Sequence, residues 1–300
     1  MDVRHLDLLR ELADRGTITA VAEATFRSPS AVSQQLRSAE RAFGTALVEP
    51  QGRGLRLTAA GRLLAEGAVG VSTELARLQR ELDDLRGRPS GVVRIAGLPS
   101  ALEFLVSGLV SRLAGTGVDL ELTDADVAEA DFAARAADHD LVIGHSLSEV
   151  PAGSDRLHTQ RIAQEPLDVA LPTSHRLAGR RSLAAADLAG ERWIGVPLGF
   201  PFDTVRLAIE NRAGVALDVV QRVRDNRVVE AMVASGLACA LLPRFTTRPR
   251  DGVVLIPLTD VRSVRSIVAL GRPDRLQRAA VRVALAALVE SGRDAETSTR

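Results

Sequence analysis

Ser28, Ser30, Ser33 and Gln34 lie within one turn or two of each other, and all carry groups that both donate and accept hydrogen bonds. Small uncharged side chains of this kind can probe base edges in a major groove. Thr19 lies just upstream, and Arg37 follows one turn later, where its planar fork can reach phosphate or guanine. Ser28 can cap a helix, and Pro29 fits the first helical position, where no amide partner is needed. The positive end of that helix also favours a phosphate. By itself this run is equally an ordinary solvated polar face. The next segment shifts the balance. In Gln51-Gly-Arg-Gly-Leu-Arg-Leu57, two glycines flank Arg53 ahead of an alternating stretch that carries Arg56. That pattern predicts a β-hairpin wing with arginine at its tip. The pair of features points to a winged helix on a duplex.

A second group of residues could hold a small molecule. In open α/β sheets ligands lie beyond the carboxyl ends of strands. That rule picks out Pro99, Ser100 and Ala101 after a strand at 92–96, and His145 and Ser146 after one at 141–144. It also picks out Gly199, Phe200, Pro201 and Phe202 in the loop 198–202, then Asp225 and Asn226. Ser100 and the free amides behind it could hold a carboxylate. The bland readings are a plain cap for Ser100, a loop histidine at 145, and core or lid rings at 200 and 202. With no Tyr and few aromatics, a small acid or amino acid is a better match than a large planar ligand. Cys239 is the one cysteine, set in an apolar run. It cannot supply an internal disulfide or a metal cluster and reads as a buried structural thiol. No metal or cofactor is expected, and no nucleophile–base pair or phosphate-binding glycine loop is visible.

These residues need elements to position them. Leu6, Leu9, Leu12 and Ala13 form a helical stripe that Gly16 ends. A short alanine-rich helix spans 17–25. The next runs from Pro29 to Phe43, with Val32, Leu36, Ala39 and Phe43 inward and Gly44 as its stop. Two short helices joined by a tight turn make a helix-turn-helix. Thr58 then caps a long helix to about Leu85. Leu64, Val71, Leu78 and Leu85 recur every seven residues, with Ala68, Leu75 and Leu82 between them. That is a coiled-coil seam along a helix of about 40 Å at ~1.5 Å per residue. Packing of this helix on its own domain is the competing reading. Arg88-Pro-Ser-Gly91 breaks it as a hinge. From Val92 strands and helices alternate, which predicts a parallel α/β sheet. The order repeats, giving two similar lobes. A last strand at 266–270 and a helix at 276–291 return to the first lobe, and 292–300 reads as a frayed tail.

Composition sets the limits. The 300 residues are 46% apolar and 25% charged, ordinary for a globular chain of two or three domains. Thirty-eight acids balance thirty-eight bases, all of them Arg. A chain-wide basic field is excluded, so a nucleic-acid contact needs a local patch. Residues 1–62 hold nine Arg against seven acids, so one copy should bind weakly and a dimer is expected. No apolar stretch suits a signal peptide or a membrane helix, which points to the cytoplasm and no membrane partner.

The whole pattern resembles the LysR-type transcriptional regulators. The matching runs are Gly16-Thr-Ile-Thr19, Ser28-Pro-Ser-Ala-Val-Ser-Gln-Gln-Leu36, Leu57-Thr-Ala-Ala-Gly61, Leu171-Pro-Thr-Ser-His-Arg-Leu-Ala178, and Val233-Ala-Ser-Gly-Leu237 through Pro243. The resemblance implies an α/β protein with an α-rich winged helix-turn-helix at 1–58 and a dimerisation helix at 59–87. It implies two α/β lobes of periplasmic-binding-protein type at 88–300, the first about 91–164 and 265–292, the second about 165–264. It further implies a homodimer or dimer of dimers on an imperfect inverted repeat, and an effector of unknown identity between the lobes. By position, Pro29, Ser30, Ser33 and Gln34 match base-contacting residues, and Arg53 the wing. Val48 and Pro50 stand where the family usually has Phe and Arg, and Ala39 replaces the Leu before Glu40. A small-molecule binding protein without a regulatory role, and an enzyme, are the alternatives.

Overall fold

Gly16 and Gly44 stop the first and third helices in the left-handed conformation that glycine adopts freely, with φ of 75° and 69°. The computed structural model describes residues 2–52, 54–86, 89–125, 131–148, 151, 153–247 and 252–298. Helices α1 (Val3–Arg15), α2 (Ile18–Ala24) and α3 (Pro29–Phe43) enclose a small core that includes Leu9, Leu12, Val21, Val32, Leu36 and Leu47. Thr17 and Ser28 cap α2 and α3 through their hydroxyls, on the amides of Ala20 and Ala31. Strands β1 (Val48–Gln51) and β2 (Gly54–Leu57) form the expected antiparallel hairpin, turned at Gly52 with φ of 58°. Arg53, expected at its tip, lies outside the described residues.

Thr58 opens the long helix α4 (Ala59–Arg86) by accepting from the Gly61 amide at 3.1 Å. A Cβ at position 61 would sit 2.1 Å from the Leu47 carbonyl oxygen, so only glycine lets α4 lie this close. The apolar seam is shorter at its start than the heptads suggest. Ala68 is wholly buried inside its own chain, and Leu64 packs against the winged-helix core. Ala68 is thus not offered to a partner and Leu64 only in part, because α1 already covers this end of α4. From Val71 onward the stripe of Leu75, Leu78, Leu82 and Leu85 is exposed.

Among the described residues the rest of the chain builds one nine-stranded sheet. Its strands are β3 (Gly91–Gly97), β4 (Val118–Asp124), β5 (Leu141–Ser146), β6 (His158–Pro172), β7 (Arg192–Gly195), β8 (Asp218–Arg222), β9 (Cys239–Pro243), β10 (Val253–Ile256) and β11 (Val264–Gly271). Their order is β4-β3-β5-β11-β6-β9-β7-β8, with β10 beside the end of β6. The expected all-parallel sheet is corrected to a mixed one. β3, β4 and β5 are parallel, as are β7, β8 and β9, but β11 and β6 run antiparallel to their neighbours.

β6 is the hinge of this architecture. Over 158–166 it pairs with β11, and over 167–170 with β9. One 15-residue strand thus serves both lobes. Each lobe has its own apolar core, one around Ile95, Leu105 and Ile143, the other around Leu167, Trp193 and Ile209.

Helices α5 (Pro99–Leu113), α6 (Phe132–Arg135), α7 (Pro201–Ala213), α8 (Asn226–Ala234) and α9 (Ala279–Ser298) cover the sheet. Part of the helix expected at 125–137 lies outside the described residues; α6 is what is described of it. The frayed tail is also corrected, since α9 continues to Ser298. Gly292 is buried where a Cβ would meet the Ile162 carbonyl oxygen at 2.3 Å, and the Glu296 carboxylate accepts from the Gln164 amide at 2.5 Å. These contacts hold the last turns down. The winged-helix unit meets the first lobe through Arg10–Asp274 at 3.0 Å and Arg15–Asp138 at 2.7 Å. No described helix is long and apolar enough to cross a membrane.

Candidate functional site

Two surfaces concentrate the residues singled out by sequence. The first is the outer face of α3. Its amphipathic pattern buries Val32, Leu36 and Ala39 and turns Ser30, Gln34 and Arg37 outward, with Ser33 half-buried. Ser28 and Pro29 at its N-terminus, and Thr19 on α2, are exposed as well. The Ser28 and Ser30 hydroxyls are 2.9 Å apart, so the cap also steers Ser30. Gln35 is not available to a ligand. Its side chain takes a bond from Arg27 and donates to the Arg4 carbonyl at 2.7 Å, tying α3 to the start of α1. The turn before α3 holds Phe26 almost fully exposed with φ of 54°, a conformation uncommon for a bulky residue. On the hairpin, Arg56 is exposed and faces Glu49 across the strands at 2.5 Å. A phosphate would have to draw Arg56 away from that carboxylate.

The second surface is a cleft between the lobes, enclosing a cavity of about 120 Å³. The first turn of α5, just after β3, brings Pro99 and Ser100 to it, and β5 brings His145. From the other lobe come Phe200, Phe202, Asp225 and Asn226. Seven of the eleven expected cleft residues therefore meet. The other four do not line it. Ala101 is buried in the first core, Ser146 turns to Ser148, and Gly199 and Pro201 support the loop from outside the cavity.

Sequence reasoning missed the residue that organises the cleft. Arg265, the second residue of β11, is almost wholly buried, and its guanidinium meets four partners. It donates to the Glu165 carboxylate at 2.5 Å, to the Ser100 hydroxyl at 3.0 Å and to His145 Nδ1 at 3.2 Å, and it lies over the Phe202 ring at 5.4 Å. A charge this deep is tolerable only when paired and hydrogen-bonded. The available signal is an arginine just ahead of the apolar run Ile267–Leu270 of β11; Glu165 sits in a polar stretch and gives none. Burial, followed by the Arg265 charge, pushes the His145 imidazole well below its usual range. His145 is therefore neutral, with Nδ1 as acceptor. Ser100 is also not its helix's side-chain cap: α5 begins at Leu98 without one, and the hydroxyl accepts from Arg265 instead.

The far wall adds charge. Arg227 pairs with Glu103 across the cleft and with Glu230 on its own helix at 3.3 Å. Asp225 caps α8 through the amides of Arg227 and Val228. Thr246 lines the cavity with its hydroxyl oxygen buried and without a hydrogen-bond partner among the described residues. At ~30 Å³ per water the cavity holds on the order of four waters, the scale of a small polar ligand.

Comparison with known proteins agrees with this arrangement. Residues 3–62 match the family "Bacterial regulatory helix-turn-helix protein, lysR family", and residues 86–293 match the family "LysR substrate binding domain". A hydrogen peroxide-inducible genes activator of Pectobacterium carotovorum subsp. carotovorum is 27% identical over 283 residues, covering 91% of both chains. The DNA-binding transcriptional dual regulator OxyR of Escherichia coli K12 is 27% identical over 278 residues, covering 91% of this chain and 90% of that one. A full-length OxyR variant from Pseudomonas aeruginosa shares the fold, with a TM-score of 0.63, 17% identity and 98% of each chain covered.

Proposed function

This chain belongs to the LysR family of bacterial transcriptional regulators, and we propose that α3 reads its operator directly through Ser30, Ser33, Gln34 and Arg37. The observation that carries this is the division of α3 into a buried apolar face and an exposed hydroxyl, amide and guanidinium face. Ser28 and Pro29 set the helix start, Thr19 flanks it, and Arg53 and Arg56 follow the phosphate backbone. Those contacts position, while base contacts specify. The functional units are the winged helix at 1–58, the coupling helix at 59–87 and the effector unit at 88–300. Two copies joined along α4 place two recognition helices on an imperfect inverted repeat, and two such dimers can assemble. A duplex partner sets the work in the cytoplasm, and the chain itself carries out no catalysis.

The effector is a small polar molecule held between Ser100, His145 and Arg265 on one wall and Phe202, Asn226 and Thr246 on the other. Arg265 is already neutralised by Glu165, so the ligand need not be an anion; the Thr246 hydroxyl offers it a hydrogen bond. A ligand that binds the closed lobes better than the open ones shifts the spacing of paired helices, and with it DNA bending. The relatives named for hydrogen peroxide raise a thiol switch as a second reading. This sequence holds one cysteine, and burial pushes the Cys239 thiol up to about 12. The reacting thiolate is thereby suppressed, which disfavours that reading.

Genome-wide mapping of DNA bound by the full chain tests the proposal. Enrichment of a shared inverted repeat, lost in Gln34→Ala, supports it. Absence of any enriched sequence at low salt overturns it.

A further inference from the structure

The sequence alone treats Cys239 as an isolated thiol. The fold gives it two neighbours. β6 ends at Pro172, and His175 sits in the turn that follows. Glu191 precedes β7, and Cys239 opens β9 opposite Trp193. Because β9 lies between β6 and β7, these three strand ends meet at one place. A ring nitrogen of His175, a carboxylate oxygen of Glu191 and the Cys239 sulfur all lie within 4.8 Å of one another. The cluster lies in the second lobe and shares no residue with the cleft described above.

We propose that His175, Glu191 and Cys239 form a binding site for a thiophilic divalent cation, Zn²⁺ foremost, that pins the turn after β6 to the starts of β7 and β9. The donor set is one sulfur, one imidazole nitrogen and one carboxylate oxygen, the three ligand types zinc takes in proteins. Zinc bonds of about 2.0–2.3 Å in a tetrahedron separate ligand atoms by about 3.3–3.8 Å. A pair at the 4.8 Å limit must close by about 1–1.5 Å to reach that spacing. A fourth position stays open on the side of His175 and Glu191, which are partly exposed while Cys239 is buried.

Charge supports the same assignment. A thiolate, a carboxylate and a neutral imidazole sum to two negative charges, of which Arg176 on the other Glu191 oxygen offsets one, so the donors still favour a cation. A bound metal deprotonates a coordinating thiol outright. Arg176 holds the other Glu191 oxygen at 2.5 Å and so orients the carboxylate while leaving Oε2 for the metal. His175 Nε2 is 3.0 Å from that Oε2, and Nδ1 accepts from the Leu177 amide at 3.3 Å. Binding then moves the Nε2 proton to Nδ1, giving up the long Leu177 contact, and releases the thiol proton to solvent. Neither step involves oxidation or reduction.

The test uses the full, reduced protein. Zn²⁺ is titrated in competition with a chromophoric chelator, and Co²⁺ is then substituted to read the sulfur-to-cobalt absorption band. One equivalent per chain, with the cobalt band present, is the expected result. Cys239→Ser should abolish the band. Glu191→Gln should weaken Zn²⁺ by about 100-fold, on the scale of losing a ligand or its support. His139→Gln, at a half-buried histidine outside the cluster, should change nothing. Since Cys239→Ser alters a buried position, thermal unfolding with and without Zn²⁺ is measured in parallel on Glu191→Gln. Zn²⁺ should raise the midpoint of the parent chain and not of that variant. Binding below one equivalent, a cobalt band that survives Cys239→Ser, or a midpoint raised equally in both chains overturns the proposal.

Discussion

Arg265 and Glu165 face each other on adjacent strands, 2.5 Å apart and both removed from solvent, at the point where β6 passes from one lobe to the other. Glu165 spends its second oxygen on the Phe245 amide at 2.7 Å, so the pair ties both lobes' backbones to the cleft floor. Breaking a buried pair by removing one partner costs about 3–5 kcal/mol, because the other charge is left uncompensated. Glu165→Gln should therefore lower the unfolding midpoint by on the order of 10 °C. Replacing both, as Glu165→Leu with Arg265→Met, should recover most of the loss. Scanning calorimetry of the three chains checks this. A single variant no less stable than the double one would show that the pair carries little.

Gln34 and Arg56 should fail in different ways. Gln34 lies exposed on α3, and in the proposed complex it faces base edges, so Gln34→Ala should keep the fold and lose about 1–3 kcal/mol of discrimination between sites. Arg56 is committed to Glu49 in the free protein. That exposed pair contributes only about 0–1 kcal/mol, so a phosphate can compete for the guanidinium. Arg56→Ala should weaken all sequences alike and reduce the salt slope by about one. Glu49→Gln should strengthen binding, having released the arginine. Fluorescence anisotropy across a salt series separates the three. An unchanged slope in Arg56→Ala would remove the hairpin from the interface.

The contrast between these two sites explains what the sequence could and could not convey. Capping and helix stops are local: Ser28, Gly16 and Gly44 fix their helices through contacts a few residues away, so their signals are readable in order. The hairpin is likewise written in adjacent residues. The cleft is built from pairs far apart in the chain, such as Arg265 with Glu165 and Arg227 with Glu103. The strand-end rule found Ser100 and His145 because it follows from topology, but it says nothing of a side chain reaching in from a returning strand. The first half of β6 escaped for a related reason. It opens on the polar, only partly covered His158–Arg161, and Ile162 and Ala163 are too short an apolar run to mark it. Its identity comes from β11, which lies a hundred residues later at Arg265.

The exposed stripe on α4 should be an assembly surface. Val71, Leu75, Leu78, Leu82 and Leu85 recur on one side while Ala65 and Ala68 are covered by the same chain. A partner helix packed along the stripe would bury apolar area at about 25 cal/mol per Å². Leu78→Glu combined with Leu82→Glu should give monomers in sedimentation velocity and reduce operator affinity steeply. Leu64→Ala should instead act within the chain, lowering stability while leaving the oligomer intact. Dimers that persist in the double variant would assign the contact to the effector lobes.

His145 gives the chain a predictable response to acid. In an unfolded chain an imidazole titrates near 6.5. In the fold, burial and then Arg265 oppose its protonation, while Phe132 and Phe202 flank the ring edge-on and tilted, with centroids 5.8 and 5.9 Å away. As pH falls below about 6.5, the unfolded chain takes up a proton that the folded chain refuses, so unfolding gains and stability falls. The contribution is about 1.4 kcal/mol per pH unit until the folded-state value is reached. His145→Gln keeps an acceptor for Arg265 and cannot be protonated there. Its stability should fall less steeply than the parent's between pH 6.5 and 5, by the slope of one proton. The other histidines and the carboxylates are common to both chains and cancel in the difference. Denaturant unfolding at half-unit pH intervals reads the two slopes. Parallel curves would mean that the imidazole is free to take its proton inside the cleft, and that Arg265 does not hold it neutral.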